Sequence, residues 1–178
     1  MTATAEGFRN LFRQTPQAVW VLTTRDSDGV PFGVTVTSLT SVSSDPPTVT
    51  FALHSTSSVL PVFAESPRIL AQVVSVDGED TARHFAAPGI DRFSTVEDSH
   101  GPGGLPAVED CCGRMLIRVD RVLPVADSAL FIGTVQVTWI PLDPREPAVY
   151  RNRTYTRTDA GSQGDPVLQN FRMGHDDD

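Results

Sequence analysis

The chemistry-bearing side chains of this sequence are mostly hydroxyls, and they are concentrated in one stretch. Thr35, Thr37, Ser38, Thr40, Ser41 and Ser43 are interleaved with Val34, Val36, Leu39 and Val42 just ahead of Asp45-Pro46-Pro47. Successive strand residues point to opposite faces, so one set of hydroxyls can face a ligand while the apolar set anchors the backbone. The run leaves an apparent strand, Phe32 to Thr37, and enters a second, Thr48 to Leu53, with the prolines fixing the bend between them. Such a bend makes a good anion cradle; the competing reading is an ordinary Ser/Thr-rich strand, because Thr suits a pleated surface. A second hydroxyl cluster, Ser55-Thr56-Ser57-Ser58, stands where Val59, Leu60, Val62 and Phe63 begin a helical pattern, and its oxygens can cap free N–H groups.

Other constellations are scarce. The four histidines, His54, His84, His100 and His175, show no zinc-like spacing with cysteine or with one another, so no metal is expected. No Gly-x-Ser-x-Gly elbow and no Gly-x-Gly-x-x-Gly fingerprint occurs. That poverty counts against a hydrolase but not against an enzyme whose chemistry is carried by a bound cofactor. Cys111 and Cys112 are adjacent, which suits neither an ordinary disulfide nor a metal site, and fits a reducing compartment.

All fourteen basic residues are Arg, and the net charge is −8. The absence of lysine excludes a Schiff-base lysine and a P-loop lysine, and the acidic balance argues against nucleic acid, whose binding needs phosphate-neutralising surface. Any bound phosphate must be held by Arg, hydroxyls or backbone N–H groups. With 178 residues and 39% hydrophobic content, the chain can bury one core, and residues 1–157 read as a single domain. Its apolar runs are of strand length, so no membrane span is expected, and the N-terminal residues lack the pattern of a signal peptide, which predicts a cytoplasmic protein. The polar segment 158–178, ending His175-Asp176-Asp177-Asp178, reads as a disordered tail.

These groups must be positioned by a mainly β framework. Glu6 to Arg13 reads as a short amphipathic helix, and Asp26-Ser27-Asp28-Gly29 as a hairpin turn. Ile69 to Val76 reads as a strand, Glu79 to Ala86 as a helix, and the Gly/Pro-rich segment from Ala87 to Gly104 as an irregular loop able to cover a site. Met115 to Val122, Leu130 to Trp139 and Ala148 to Thr156 read as three closing strands. Seven or so strands with a few short helices suit a closed barrel better than a sandwich.

The wording of residues Gly33 to Pro47, Gly-Val-Thr-Val-Thr-Ser-Leu-Thr-Ser-Val-Ser-Ser-Asp-Pro-Pro, resembles the signature of the flavin reductase-like family. The resemblance continues through Ala18 to Thr24, Arg83-His84-Phe85-Ala86, Asp91-Arg92-Phe93, Phe131 to Val135 and Ala148-Val149-Tyr150, so it spans residues 8 to 157 or so. It implies an FMN-binding split β-barrel with a few peripheral helices, a homodimer with flavin near the subunit interface. The implied activity is NAD(P)H-dependent reduction of FMN or FAD, with reduced flavin handed to a partner monooxygenase. Carried over by position, Thr35, Val36, Thr37 and Ser38 would run along the isoalloxazine and ribityl chain, and Thr40 and Ser41 would approach the ribityl and phosphate. Ser57 and Ser58 would face the phosphate from a helix N-terminus, with His84 and Phe85 near the flavin; Tyr150 and Tyr155 suit a core or dimer contact at least as well as cofactor stacking.

Two positions depart from the family pattern. Relatives commonly carry Gly-Asp-His before the Phe-Ile-Gly strand, with the imidazole on the nicotinamide side; this chain has Ala126-Asp127-Ser128. Relatives often have a cation where this chain has Ser55, a loss that Arg83 or Arg92 could offset. The alternatives are a flavin-binding protein of the same fold without reductase activity, or a split-barrel module for another ligand such as haem or a deazaflavin.

Overall fold

The computed structural model describes residues 2–93, 99–142 and 145–157. In chain order the elements are α1 (Ala5–Gln14), β1 (Gln17–Ala18), β2 (Trp20–Arg25), β3 (Pro31–Val36), β4 (Thr40–Ser44), β5 (Pro47–His54), α2 (Leu60–Glu65) and β6 (Arg68–Val74). There follow α3 (Glu79–Ala86), β7 (Ser99–His100), β8 (Pro106–Ala107), β9 (Cys111–Val125), β10 (Ser128–Trp139), β11 (Val149–Arg151) and β12 (Thr154–Thr156). Seven strands form one antiparallel sheet in the order β3-β2-β6-β9-β10-β5-β4, with β1, β11 and β12 in a second sheet and β7 and β8 in a third. The backbone ladders leave β3 and β4 as edges. In the link between β3 and β4, the Ser38 hydroxyl donates to the Ala52 carbonyl of β5 and accepts from the Ala52 N–H, both at 3.0 Å.

Local chemistry explains most boundaries. Thr4 caps α1 by accepting from the Gly7 N–H at 3.1 Å. In the β2–β3 hairpin, Asp26 Oδ1 accepts from the backbone N–H groups of Asp28 and Val30, and Gly29 takes φ +82°, a left-handed value that glycine adopts without strain. The main core lies on one face of the sheet, where Leu22, Phe51, Phe63, Ile69, Ile117 and Phe131 are buried, and the Phe51 and Phe131 rings stack at 4.5 Å. A second cluster joins Val19, Val21, Val74, Ala82, Phe85 and Val108 beneath α3. Gly133 lets β10 cross β9 closely: a Cβ there would lie 2.6 Å from the Arg118 carbonyl oxygen.

Several sequence expectations are corrected. Ala148 to Thr156 is not one strand but the hairpin β11–β12, because Asn152 and Arg153 take φ +51° and +63° and reverse the chain. The strand expected from Met115 begins at Cys111, so both cysteines lie within β9; Cys111 is buried and Cys112 half-buried, and burial pushes both thiols up. The helix expected from Ser55 starts at Leu60, with Val59 at its cap and no side-chain hydroxyl bonded there. Val42, expected to anchor the backbone, is 60% exposed, because β4 is an edge strand open along its length. The segment 158–178, expected to be a tail, lies outside the described residues.

Candidate functional site

The hydroxyl-rich run builds one border of a sheet surface. In β5, Val49, Phe51 and Leu53 point into the core, so Thr50, Ala52 and His54 share the opposite face. Register fixes their neighbours: Thr40 of β4 stands opposite Thr50, and Leu130 and Ser128 of β10 stand opposite Ala52 and His54. The result is an apolar strip, Ala52 and Leu130, between hydroxyls at one end and an imidazole at the other. Ser38 closes its edge through the Ala52 backbone. The Thr37, Thr40 and Ser41 hydroxyls have no partner among the described residues, whereas Thr35 is committed to the fold, donating to the Ala82 carbonyl at 2.7 Å.

The chain leaves β5 through a turn made by its own backbone: the Ser57 N–H donates to the His54 carbonyl at 2.9 Å, and the Ser57 carbonyl accepts from Leu60 at 3.1 Å. Ser58 then faces a cleft of about 330 Å³ lined by Val30, Pro31, Phe32, Gly33, Val59 and the segment Ile90-Asp91-Arg92-Phe93. Arg92 is held in place by two carbonyls, Nε donating to Phe85 at 3.0 Å and Nη2 to Ala87 at 2.9 Å. Burial lowers its pKa, yet a guanidinium stays charged, and Nη1 has no partner among the described residues. Arg83, the other cation considered, is spent elsewhere: it pairs with Glu79 at 2.6 Å and lies 5.0 Å over the Tyr155 ring.

The two α3 residues take different places. His84 Nε2 donates to the Arg92 carbonyl at 2.8 Å, which ties the cleft segment to α3. Phe85 is fully buried, with its ring in the space that a Cβ on Gly33 would need, 2.5 Å away; it has no accessible surface for a ligand and serves as the floor under β3. Val36 is likewise buried. Tyr150 and Tyr155 pack against each other at 5.0 Å beside the second core cluster, and burial raises the Tyr155 phenol. Thus register and hydrogen bonding set Thr40, Ser38 and Ser128 along β5, which the Ser57–Ser58 turn follows, while Val36 is buried in the main core and Thr35 and Phe85 tie β3 to α3.

Sequence reasoning missed His54, passed over because it had no metal-like spacing. Its ladder partner is Ser128, the position where an imidazole was expected and a hydroxyl found. His54 Nδ1 lies 2.8 Å from the Thr56 hydroxyl, and Nε2 lies 3.5 Å from Asp127 Oδ2, whose second oxygen accepts from Ser128 at 3.1 Å. The only available signal was parity: His54 is two residues beyond Ala52 on a strand, hence on its face. Among the described residues no cluster of His, Cys, Asp and Glu could hold a metal ion, and no helix is long and apolar enough to cross a membrane.

Residues 12–159 match the model of the flavin reductase like domain. The chain is 32% identical over 152 residues to a flavin reductase (NADH) of Kitasatospora aureofaciens, covering 84% of this chain and 80% of that one. It is 27% identical over 156 residues to the 4-hydroxyphenylacetate 3-monooxygenase reductase component of Pseudomonas aeruginosa, covering 85% and 91%. Among solved structures it is similar to the NADH:FAD oxidoreductase of Streptomyces globisporus C-1027 in complex with NAD and FAD fragments, with a TM-score of 0.80 at 26% identity, covering 88% and 94%.

Proposed function

The chain belongs to the flavin reductase-like family, and from that premise we propose that it reduces FMN or FAD with NADH or NADPH and releases reduced flavin to a partner monooxygenase. Two observations support the reading: the Thr40–Ala52–Leu130–His54 face, and the cleft lined by Ser58 and Arg92, whose Ser58 lies four residues beyond His54. A planar ring system needs an apolar bed with neutral donors at its edge, and a phosphate needs a cation with a hydroxyl beside it. Both sets of groups are present, so the donor chemistry fits flavin. When bound, flavin supplies the redox chemistry, accepting a hydride from the dihydronicotinamide. The protein's part is to bind and orient. Thr37, Ser38, Thr40 and Ser41 edge the ring and ribityl chain, Ser57, Ser58 and Arg92 face the phosphate, and no protein acid or base is required for hydride transfer.

An anaerobic assay of each nucleotide with each flavin tests the reading. Nucleotide oxidation matched by flavin bleaching is expected with at least one pair. Flavin binding without any nucleotide oxidation would replace the reductase with a flavoprotein of another function.

The same reading takes residues 1–157 as one cytoplasmic, closed split-barrel unit, and as half of a homodimer. Its support is α1, whose Phe8, Leu11 and Phe12 are 61%, 65% and 47% exposed while none of its residues is buried. A ten-residue helix is marginal by itself in water and gains stability from a packed apolar face. Leu11→Asp with Phe8→Asp is expected to shift the mass in solution from dimer to monomer, read by light scattering; a wild-type monomer would remove the dimer.

A further inference from the structure

We propose that the groove between α1 and the β11–β12 hairpin is the docking site for residues 158–178 of the same chain, an inference independent of the flavin chemistry. The groove encloses about 210 Å³ and is lined by the rings of Phe8, Phe12 and Tyr150 and by Arg9, Arg13 and Arg153. Among the described residues, the hydrogen bonds that join α1 to the rest of the fold lie at its C-terminal end. There the Asn152 N–H donates to the Arg13 carbonyl at 2.7 Å, and Arg151 Nε donates to the Gln14 carbonyl at 3.0 Å. Ahead of that end Phe8 and Phe12 meet only each other, ring centroids 4.7 Å apart, and no residue of the helix is buried. Aromatic rings lining a concave surface are stabilised by an apolar cover that removes them from water. Leu11 does not line the groove and stays open to the subunit contact.

Charge narrows what that cover can be. Arg9 and Arg153 have no partner among the described residues, Arg13 meets the neutral Asn10 side chain at 3.2 Å, and no carboxylate lines the groove. The cover must therefore be apolar and acidic at once. Residues 158–178 are both: Val167, Leu168 and Phe171 fall at helical spacing after Asp165-Pro166, a helix-start signal, and Asp159, Asp165, Asp176, Asp177 and Asp178 stand against the single cation Arg172. The segment is also tethered beside the groove. β12 pairs with β11 through Tyr155 and Tyr150, and β11 with β1 through Tyr150 and Gln17. Neighbouring strands lie about 4.8 Å apart, whereas the ten residues from Arg157 to Val167 span about 33 Å when extended, so the apolar residues reach α1 without strain. A short tether holds its segment at an effective concentration of about 1 mM, so a contact too weak to retain a free peptide suffices here.

Hydrogen exchange of the full chain, read by mass spectrometry, tests the docking. In wild type the amides of residues 167–171 are expected to exchange on the order of tenfold more slowly than in an unstructured chain, at low and high protein concentration alike. Arg9→Glu with Arg13→Glu is expected to abolish that protection, and the further changes Asp176→Arg and Asp177→Arg to restore it. Leu168→Ser with Phe171→Ser, remote in sequence from α1, is expected to speed exchange in α1 by a similar factor while β6, β9 and β10 stay protected. Exchange of residues 158–178 at the unstructured rate in wild type overturns the proposal, as does protection indifferent to the Arg9 and Arg13 reversal or not restored by the reversed partners. Protection that vanishes on dilution assigns the groove to the segment of a second copy and overturns it equally.

Discussion

Phe85→Ala is expected to destabilise the protein by about 3–5 kcal/mol, the usual cost of truncating a buried phenylalanine, rather than to delete a ligand contact. The ring is fully buried in the concavity left by Gly33 and meets the Phe93 ring edge-on at 5.3 Å. Its backbone carbonyl also anchors Arg92. Truncation leaves a cavity under β3 and loosens both Phe93 and the Arg92 anchor, so flavin affinity should fall as a consequence of lost support. Phe85→Leu, which keeps most of the volume, should cost less than about 1.5 kcal/mol and leave flavin binding near normal. Urea unfolding with parallel flavin titration separates the cases. An unchanged unfolding midpoint with lost flavin binding in Phe85→Ala would return this ring to direct contact.

What the sequence disclosed depended on how local the cause was. α1, α3 and the β2–β3 turn are written in short-range signals: Thr4 at the cap, apolar spacing, and Asp26 with Gly29. The β11–β12 reversal was hidden because Asn152-Arg153 carries no glycine, and its left-handed backbone is legible only in the structure. The late start of α2 was hidden for another reason. The Ser57 N–H is taken by the His54 carbonyl, and the Thr56 N–H by the His54 ring, so the segment folds back on β5 before a helix can begin.

The candidate site was half legible. Its hydroxyls are visible as composition, but which of them remain open depends on partners far along the chain. Thr35 is spent on Ala82, forty-seven residues away, and Ser38 on Ala52. The pairing of His54 with Ser128 follows from β5–β10 register, which no local pattern determines. The structure also separates the two arginines that sequence reasoning left equivalent, turning Arg83 toward Glu79 and Tyr155, and Arg92 toward the cleft.

That separation gives the second large effect. Arg92→Ala is expected to weaken FMN binding on the order of tenfold to a hundredfold, matching the roughly 1.5–3 kcal/mol of a hydrogen bond involving a charged group. Two of its donors are fixed on carbonyls, which preorganises the guanidinium, and partial burial reduces the screening of its charge. Riboflavin, which lacks the phosphate, is the control. Loss of a phosphate contact weakens FMN alone, whereas collapse of the Ile90–Phe93 segment would weaken both. Arg92→Lys should recover little, because a single ammonium cannot hold two carbonyls in a fork and still face a ligand. The FMN affinity of wild type should also fall with added salt more steeply than that of Arg92→Ala. Equal losses for FMN and riboflavin would remove Arg92 from the phosphate and leave it as the strut of the cleft, tied to α3 through Phe85 and His84.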